Sequence, residues 1–125
     1  MESQKDYLNG WKIKDSQKQK LNRIIERILE KNAQDLVVID LRPLNTGIAD
    51  FFVIATGFTE DHLEAMALAL NDILEPLHEE GLRTKWTALD YFDIIVHLMT
   101  PDYREYYDLE GLWAAAPQKK IDEED

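Results

Sequence analysis

The residues of this chain best placed for chemistry are carboxylates near the ends of apolar runs. Asp90-Tyr91-Phe92-Asp93 sets two acids three positions apart in a turn, and Asp40 and Asp50 flank two earlier runs. Paired carboxylates at strand ends can hold magnesium for phosphoryl or nucleotidyl transfer. Aspartates also populate turns for local reasons, because their side chains bond their own backbone. A triphosphate needs a cradle as well, and none of the five glycines falls in a G-x-G-x-x-G or P-loop pattern. Magnesium-dependent transfer is therefore the alternative reading; no catalytic residue, metal site or cofactor is assigned.

Other reactive side chains point the same way. With no cysteine, thiol catalysis, disulfides and Cys-based zinc sites are excluded. Ser3 lies in the N-terminal segment and Ser16 at a helix start, neither placed as a nucleophile. His62 and His78 fall near opposite ends of one predicted helix, roughly 24 Å apart at the rise of an α-helix. His97 shares a strand face with Ile95 and Met99, which suits a hydrogen-bonded structural histidine better than a ligand or base.

Aromatic residues are more informative. Trp86, Tyr91 and Phe92 lie within seven residues, followed by Tyr103, Tyr106, Tyr107 and Trp113. Trp and Tyr combine apolar area with a polar atom and favour interface hot spots. Trp113 and some of the tyrosines are expected to close the core edge. Phe92 is different, because a bulky residue at a hairpin tip has little of its own domain to pack on. A partner covering it, either another subunit or a different protein, explains it better.

The elements that must position these residues follow from periodicity. Leu21, Ile24, Ile25, Ile28 and Leu29 make one helical stripe over Ser16 to Lys31, with Ser16 and Gln19 spaced as a capping box and Asn32 as a stop. Leu36 to Ile39 and Phe51 to Ala55 read as strands buried on both faces, joined by the loop Arg42 to Gly47 and closed by Gly57. Thr59 caps a long helix whose stripe runs from Leu63 to Leu77, with Pro76 weakening its last turn and Gly81 ending it. Arg83 to Leu89 and Ile94 to Met99 form a β-hairpin. Pro101 to Tyr107 and Asp108 to Trp113 form short helical turns, with Asp108 an N-cap. That order predicts an α/β fold, a mixed β-sheet with helices packed on it. Residues 1–15 are expected to be a flexible extension, 16–117 the folded domain, and 118–125 a charged mobile tail.

Composition sets the class of partner. The chain has 125 residues, enough for one core, and a formal net charge of −11. Such a balance repels phosphate backbones, so direct sequence-specific nucleic-acid binding is not expected. The basic stretch from Lys12 to Lys31 is spread around a helix and reads as a solvated face. A basic protein partner fits better. No apolar run approaches the ~20 residues that span a bilayer, and no leader pattern is present, so a cytoplasmic protein is expected.

Two long segments, DLVVIDLRPLNTGIADFFVIATGFTEDHLEAMA and WTALDYFDIIVHLMTPDYREYYDLEGLW, resemble the Iojap family, also called ribosomal silencing factor RsfS. The likeness covers about Asn22 to Pro117. It rests on IADFFVIATG, Trp86-x-x-Leu89-Asp90, Ile95-Val96-His97 and REYYDLEGLW taken together. The resemblance implies a nucleotidyltransferase-like fold without the active site. It also implies binding to the large ribosomal subunit through its L-fourteen protein, so that subunit joining is blocked and translation is damped when nutrients run short. A bacterial form is expected rather than an organellar one. The implied partner-binding surface is Trp86, Leu89, Asp90 and Tyr91, with Trp86 and Tyr91 as anchors and Asp90 as a charge partner. Phe92 and Asp93 join it as neighbours. Arg104, Tyr107, Asp108 and Glu110 match a second motif that either binds or stabilises, and His97 matches without an implied role. The family usually has Gly at the position of Phe92 and Tyr-Phe where this chain has Phe51-Phe52. A homodimeric adaptor, with Phe92 facing a second copy, is the remaining alternative.

Overall fold

The computed structural model describes residues 5–121. Helix α1 (Asp15–Leu29) leads into β1 (Gln34–Asp40), a 3₁₀ turn (Arg42–Leu44) and β2 (Phe51–Thr56). Helix α2 (Glu60–Ile73) precedes β3 (His78–Glu80), β4 (Trp86–Asp90) and β5 (Ile94–Met99). Two short helices, α3 (Pro101–Tyr107) and α4 (Leu109–Leu112), and a last strand, β6 (Gln118–Lys120), complete the chain. The six strands lie in the order β3-β4-β5-β2-β1-β6. Only β2 and β5 run parallel among the paired strands; the rest are antiparallel, so the sheet is mixed as expected.

The centre of the sheet explains its composition. All six residues of β2 are buried, because both faces of that strand are covered. On one face, Ile24, Ile25 and Ile28 of α1 and Leu63, Met66 and Leu70 of α2 pack on Phe51, Val53, Val96 and Leu98. On the other, Leu109 and Ala116 lie over Ile39, Phe52, Ile54 and Met99, with Trp113 and Tyr103 against their edge. Thr59 caps α2 as read from sequence, accepting from the His62 amide at 3.0 Å. Asn32 stops α1 with φ at +66°.

Four local expectations are corrected. Lys14, not Ser16, precedes α1, and no side chain caps it. Helix α2 ends at Ile73 because a residue ahead of proline is pushed out of the helical region. The segment beyond Pro76 becomes β3 instead, which moves His78 onto a strand, and Gly81 (φ +71°) turns β3 into β4. The charged tail contributes β6, which pairs with β1 and seats Ile121 in the core.

The N-terminal segment is the largest correction. Residues 5–14 pack on the domain instead of trailing from it: Leu8 is fully buried and Trp11 stacks on Phe51 at 6.5 Å. The Tyr7 amide donates to Asn22 Oδ1 at 3.0 Å, and its hydroxyl donates to Glu26 at 2.6 Å. Leu8, Trp11 and Ile13 supply this burial without any helical or strand period. The expectations for residues 1–4 and 122–125 lie outside the described residues.

Burial of Leu8 is testable. Leu8→Ala should lower unfolding free energy by roughly 2–5 kcal/mol, the range for truncating a buried leucine. Urea denaturation reads this directly; a loss under half a kcal/mol would mean the segment does not pack.

Candidate partner-binding face

Strand parity decides which of the proposed surface residues can meet a partner. Successive side chains of β4 alternate between faces, so Trp86, Ala88 and Asp90 share one face and Thr87 and Leu89 the other. The pairing of β4 with β5 sets Ala88 opposite His97 and Asp90 opposite Ile95. Trp86, Ala88, Asp90 and Ile95 are all partly exposed, whereas Leu89 is fully buried among the helices. Tyr91 turns inward as well, at 4% exposure, and burial pushes its hydroxyl's pKa up, with Glu79 adding to the shift. Leu89 and Tyr91 are therefore core residues, a correction to their expected role at a partner surface. Ala88 and Ile95 share the partly exposed face with Trp86 and Asp90.

Trp86 is held in position by its neighbours. Its Nε1 donates to His97 Nδ1 at 3.1 Å, and its ring lies 5.0 Å from that of Tyr107. His97 in turn stacks edge-on to Phe52 at 4.6 Å, and Phe52 meets Trp113 at 6.2 Å. His97 is hydrogen-bonded through Nδ1, as expected of it, while its buried Nε2 has no partner among the described residues. Burial lowers its pKa to about 4.

Three residues of the second motif are bonded within the domain. Arg104 donates to Glu110 Oε2 at 2.8 Å and to Thr56 Oγ1 at 2.9 Å, joining α3, α4 and β2. Asp108 caps α4 by accepting from the Gly111 amide at 3.0 Å, as read from sequence. Arg104, Asp108 and Glu110 are thus engaged within the domain, while Tyr107 is partly exposed and Tyr106 beside it more so. Tyr106, on the outer side of α3, carries no sequence signal that separates it from the aromatics closing the core edge.

The carboxylates considered for magnesium are tied into the protein. Asp40 takes two bonds from the Arg42 guanidinium, each 2.9 Å. Asp50 and Asp93 share the buried amide of Gln17 at 2.9 Å each, and Lys20 reaches Asp93 at 2.6 Å. Burial alone would raise the pKa of Asp93, but the bonds from Lys20 and Gln17 hold it below the usual carboxylate value. Asp90 Oδ1 accepts from the Phe92 amide at 2.8 Å. Among the described residues no three His, Cys, Asp or Glu side chains gather as a metal-holding group.

Phe92 stands at the hairpin tip, as expected, 76% exposed. Its φ of +78° lies in the left-handed region, which accounts for a turn that glycine would suit.

The shift of His97 has a measurable consequence. A histidine kept neutral by folding stabilises above its unfolded pKa of about 6.5 and loses that contribution as pH falls toward its folded value. Between pH 7 and about pH 5 the wild type should lose about 2 kcal/mol more than His97→Gln. Equal losses in denaturation at the two pH values would remove His97 as the cause.

Comparison with known proteins fits this geometry. Residues 14–125 match the family described as ribosomal silencing factor during starvation. The ribosomal silencing factor RsfS of Halalkalibacterium halodurans is 29% identical over 86% of this chain and 96% of its own. That of Bacillus subtilis is 30% identical over 74% and 83%. A mouse protein named mitochondrial assembly of ribosomal large subunit protein 1 is 30% identical over 74% of this chain and 44% of its own. A crystal structure of a Chromobacterium violaceum protein superposes with TM-score 0.70 at 28% identity, covering 77% of this chain and 85% of that one. One from Bacillus halodurans gives 0.68 at 28%, covering 82% and 99%. With its strand order, packed helices and half-open β4–β5 face, the chain belongs to the RsfS family of ribosomal silencing factors.

Proposed function

We propose that this protein binds the large ribosomal subunit in the cytoplasm, through the L-fourteen protein, and blocks subunit joining by occupying space. The observation that carries this reading is the half-open face of β4 and β5. Trp86, Ala88, Asp90 and Ile95 form an apolar surface with one carboxylate, and His78 and Glu80 of β3 extend it toward the sheet edge. An apolar centre with acidic flanks fits a basic protein. The name of the mouse relative, which refers to the ribosomal large subunit, supports the choice of target.

Steric blocking requires affinity and position but no reaction. The bidentate pairing of Asp40 with Arg42, and the sharing of Gln17 by Asp50 and Asp93, fit a site that holds structure in place. A dock built on strands is also well preorganised, since the sheet fixes the spacing of Trp86, Ala88 and Asp90 before any partner arrives.

Co-sedimentation with purified large subunits tests the proposal. Wild-type protein should pellet with the subunits, and a folded Ala88→Arg, Ile95→Lys double variant should remain in solution. These positions avoid the Trp86–His97 bond, so far-ultraviolet circular dichroism should be unchanged. Wild-type protein left in the supernatant would sink the proposal, and a double variant that still pellets would move the contact to another face.

A further inference from the structure

The tip of the β4–β5 hairpin is built unfavourably unless something covers it. Phe92 holds φ at +78°, a conformation that residues with a Cβ avoid and glycine adopts freely. Its ring is 76% exposed and belongs to neither core cluster. The turn does not need that ring, because its bonds run from the Phe92 amide to Asp90 Oδ1 at 2.8 Å and from the Tyr91 amide to the Ile94 carbonyl at 2.8 Å. Exposed Ile48 lies beside it on a groove of about 270 Å³, lined also by Arg42, Thr46, Gly47 and Asp50. Left-handed backbone and an exposed aromatic are two separate costs at one residue, and strain of this kind gathers at ligand contacts.

We infer that Phe92 is a docking knob, inserting into an apolar-lined recess of the large-subunit protein, with a cationic side chain of that protein against Asp90. This rests on the ribosome-binding reading above. Continuity is one reason: Asp90, which holds the Phe92 amide, lies opposite Ile95 on the half-open face, so tip and face form one surface.

Charge is the other. Asp40 is neutralised by Arg42 and Asp93 by Lys20, and Asp50 is bonded by Gln17 and lies in the field of Arg42, but Asp90 has no ion-pair partner among the described residues. A second copy would set the same uncompensated carboxylate of Asp90 against this surface, and like charges in a contact disfavour it. A cationic partner supplies what is missing. The tip is also rigid, since Asp93 is bonded by Gln17 and Lys20 and its carbonyl accepts from the Asp50 and Phe51 amides at 2.8 and 3.1 Å. A knob ordered in advance loses little entropy on binding.

The test compares wild type with Phe92→Gly in equilibrium binding to purified large ribosomal subunits, alongside thermal unfolding and sedimentation velocity of the free proteins. Phe92→Gly should unfold at or above the wild-type temperature yet bind about tenfold or more weakly, chiefly through faster dissociation. Wild type that binds, with Phe92→Gly binding equally, overturns the knob and leaves the ribosome reading standing. Wild type without affinity for the subunits overturns both. Self-association that Phe92→Gly abolishes, with subunit binding unchanged, makes a second copy the occupant and overturns the inference.

Discussion

The surface of this protein depends on how one carboxylate, that of Asp93, is held. Its two oxygens take bonds from Lys20 and Gln17 of α1, while its main-chain carbonyl accepts from the amides that open β2. Helix, central strand and hairpin therefore meet at a single residue. Gln17 is buried and also bonds Asp50, so its amide group is satisfied by two acids from different loops. A buried polar group left without partners costs about 1–3 kcal/mol, so this node is stable only when all its members are present. It fixes the hairpin at one end, and the parallel pairing of β5 with β2 fixes it along its length.

Given that anchor, the unequal covering of the sheet follows. Helices α1 and α2 are each about four turns long and close one face from β1 to β5. On the opposite face α3 and α4 are short, and they reach Trp86, Phe52 and Met99 but leave Ala88, Asp90 and Ile95 partly open. The aromatic chain Trp113–Phe52–His97–Trp86–Tyr107 marks the border between the closed and open halves. His97 can sit inside this border only as a neutral ring, because solvent is excluded and Nδ1 already accepts a bond from Trp86.

Much of this was legible in the sequence where a single physical rule dominated. Continuous β-branched and aromatic runs gave β1, β2 and β5, and the 3.6-residue stripe gave α1 and most of α2. Misreadings arose where two rules competed. Apolar residues Ile73, Leu74 and Leu77 continue the stripe of α2, but Pro76 restricts Glu75, and the chain leaves the helix before it. Strands β3 and β6 have three residues each and take their identity from the neighbours they pair with, which no local pattern records. Leu8 and Trp11 find their places through long-range packing on α1 and Phe51. Leu89 and Tyr91 differ: strand parity separated them from Trp86 and Asp90, and a motif read without its faces concealed that.

Charge shows a division of labour that the net figure conceals. Eight of the fourteen basic residues lie between Lys5 and Lys31, a stretch that the sequence reads as a solvated helix face. In the fold many of these cations work internally. Lys18 pairs with Asp6, Lys20 with Asp93 and Arg27 with Glu30, while Arg23 donates to the Ile73 carbonyl. Each attaches α1 to the N-terminal segment, the hairpin, α2 or its own next turn. Cations engaged in this way contribute less counterion release to a phosphate backbone than free ones. The acids of the open edge have the opposite fate: His78 bonds Glu80 without neutralising it unless protonated, and Asp90 holds only a backbone amide. Positive charge is used to build the domain, and the negative charge left beside Trp86 and Phe92 is what an approaching protein would meet.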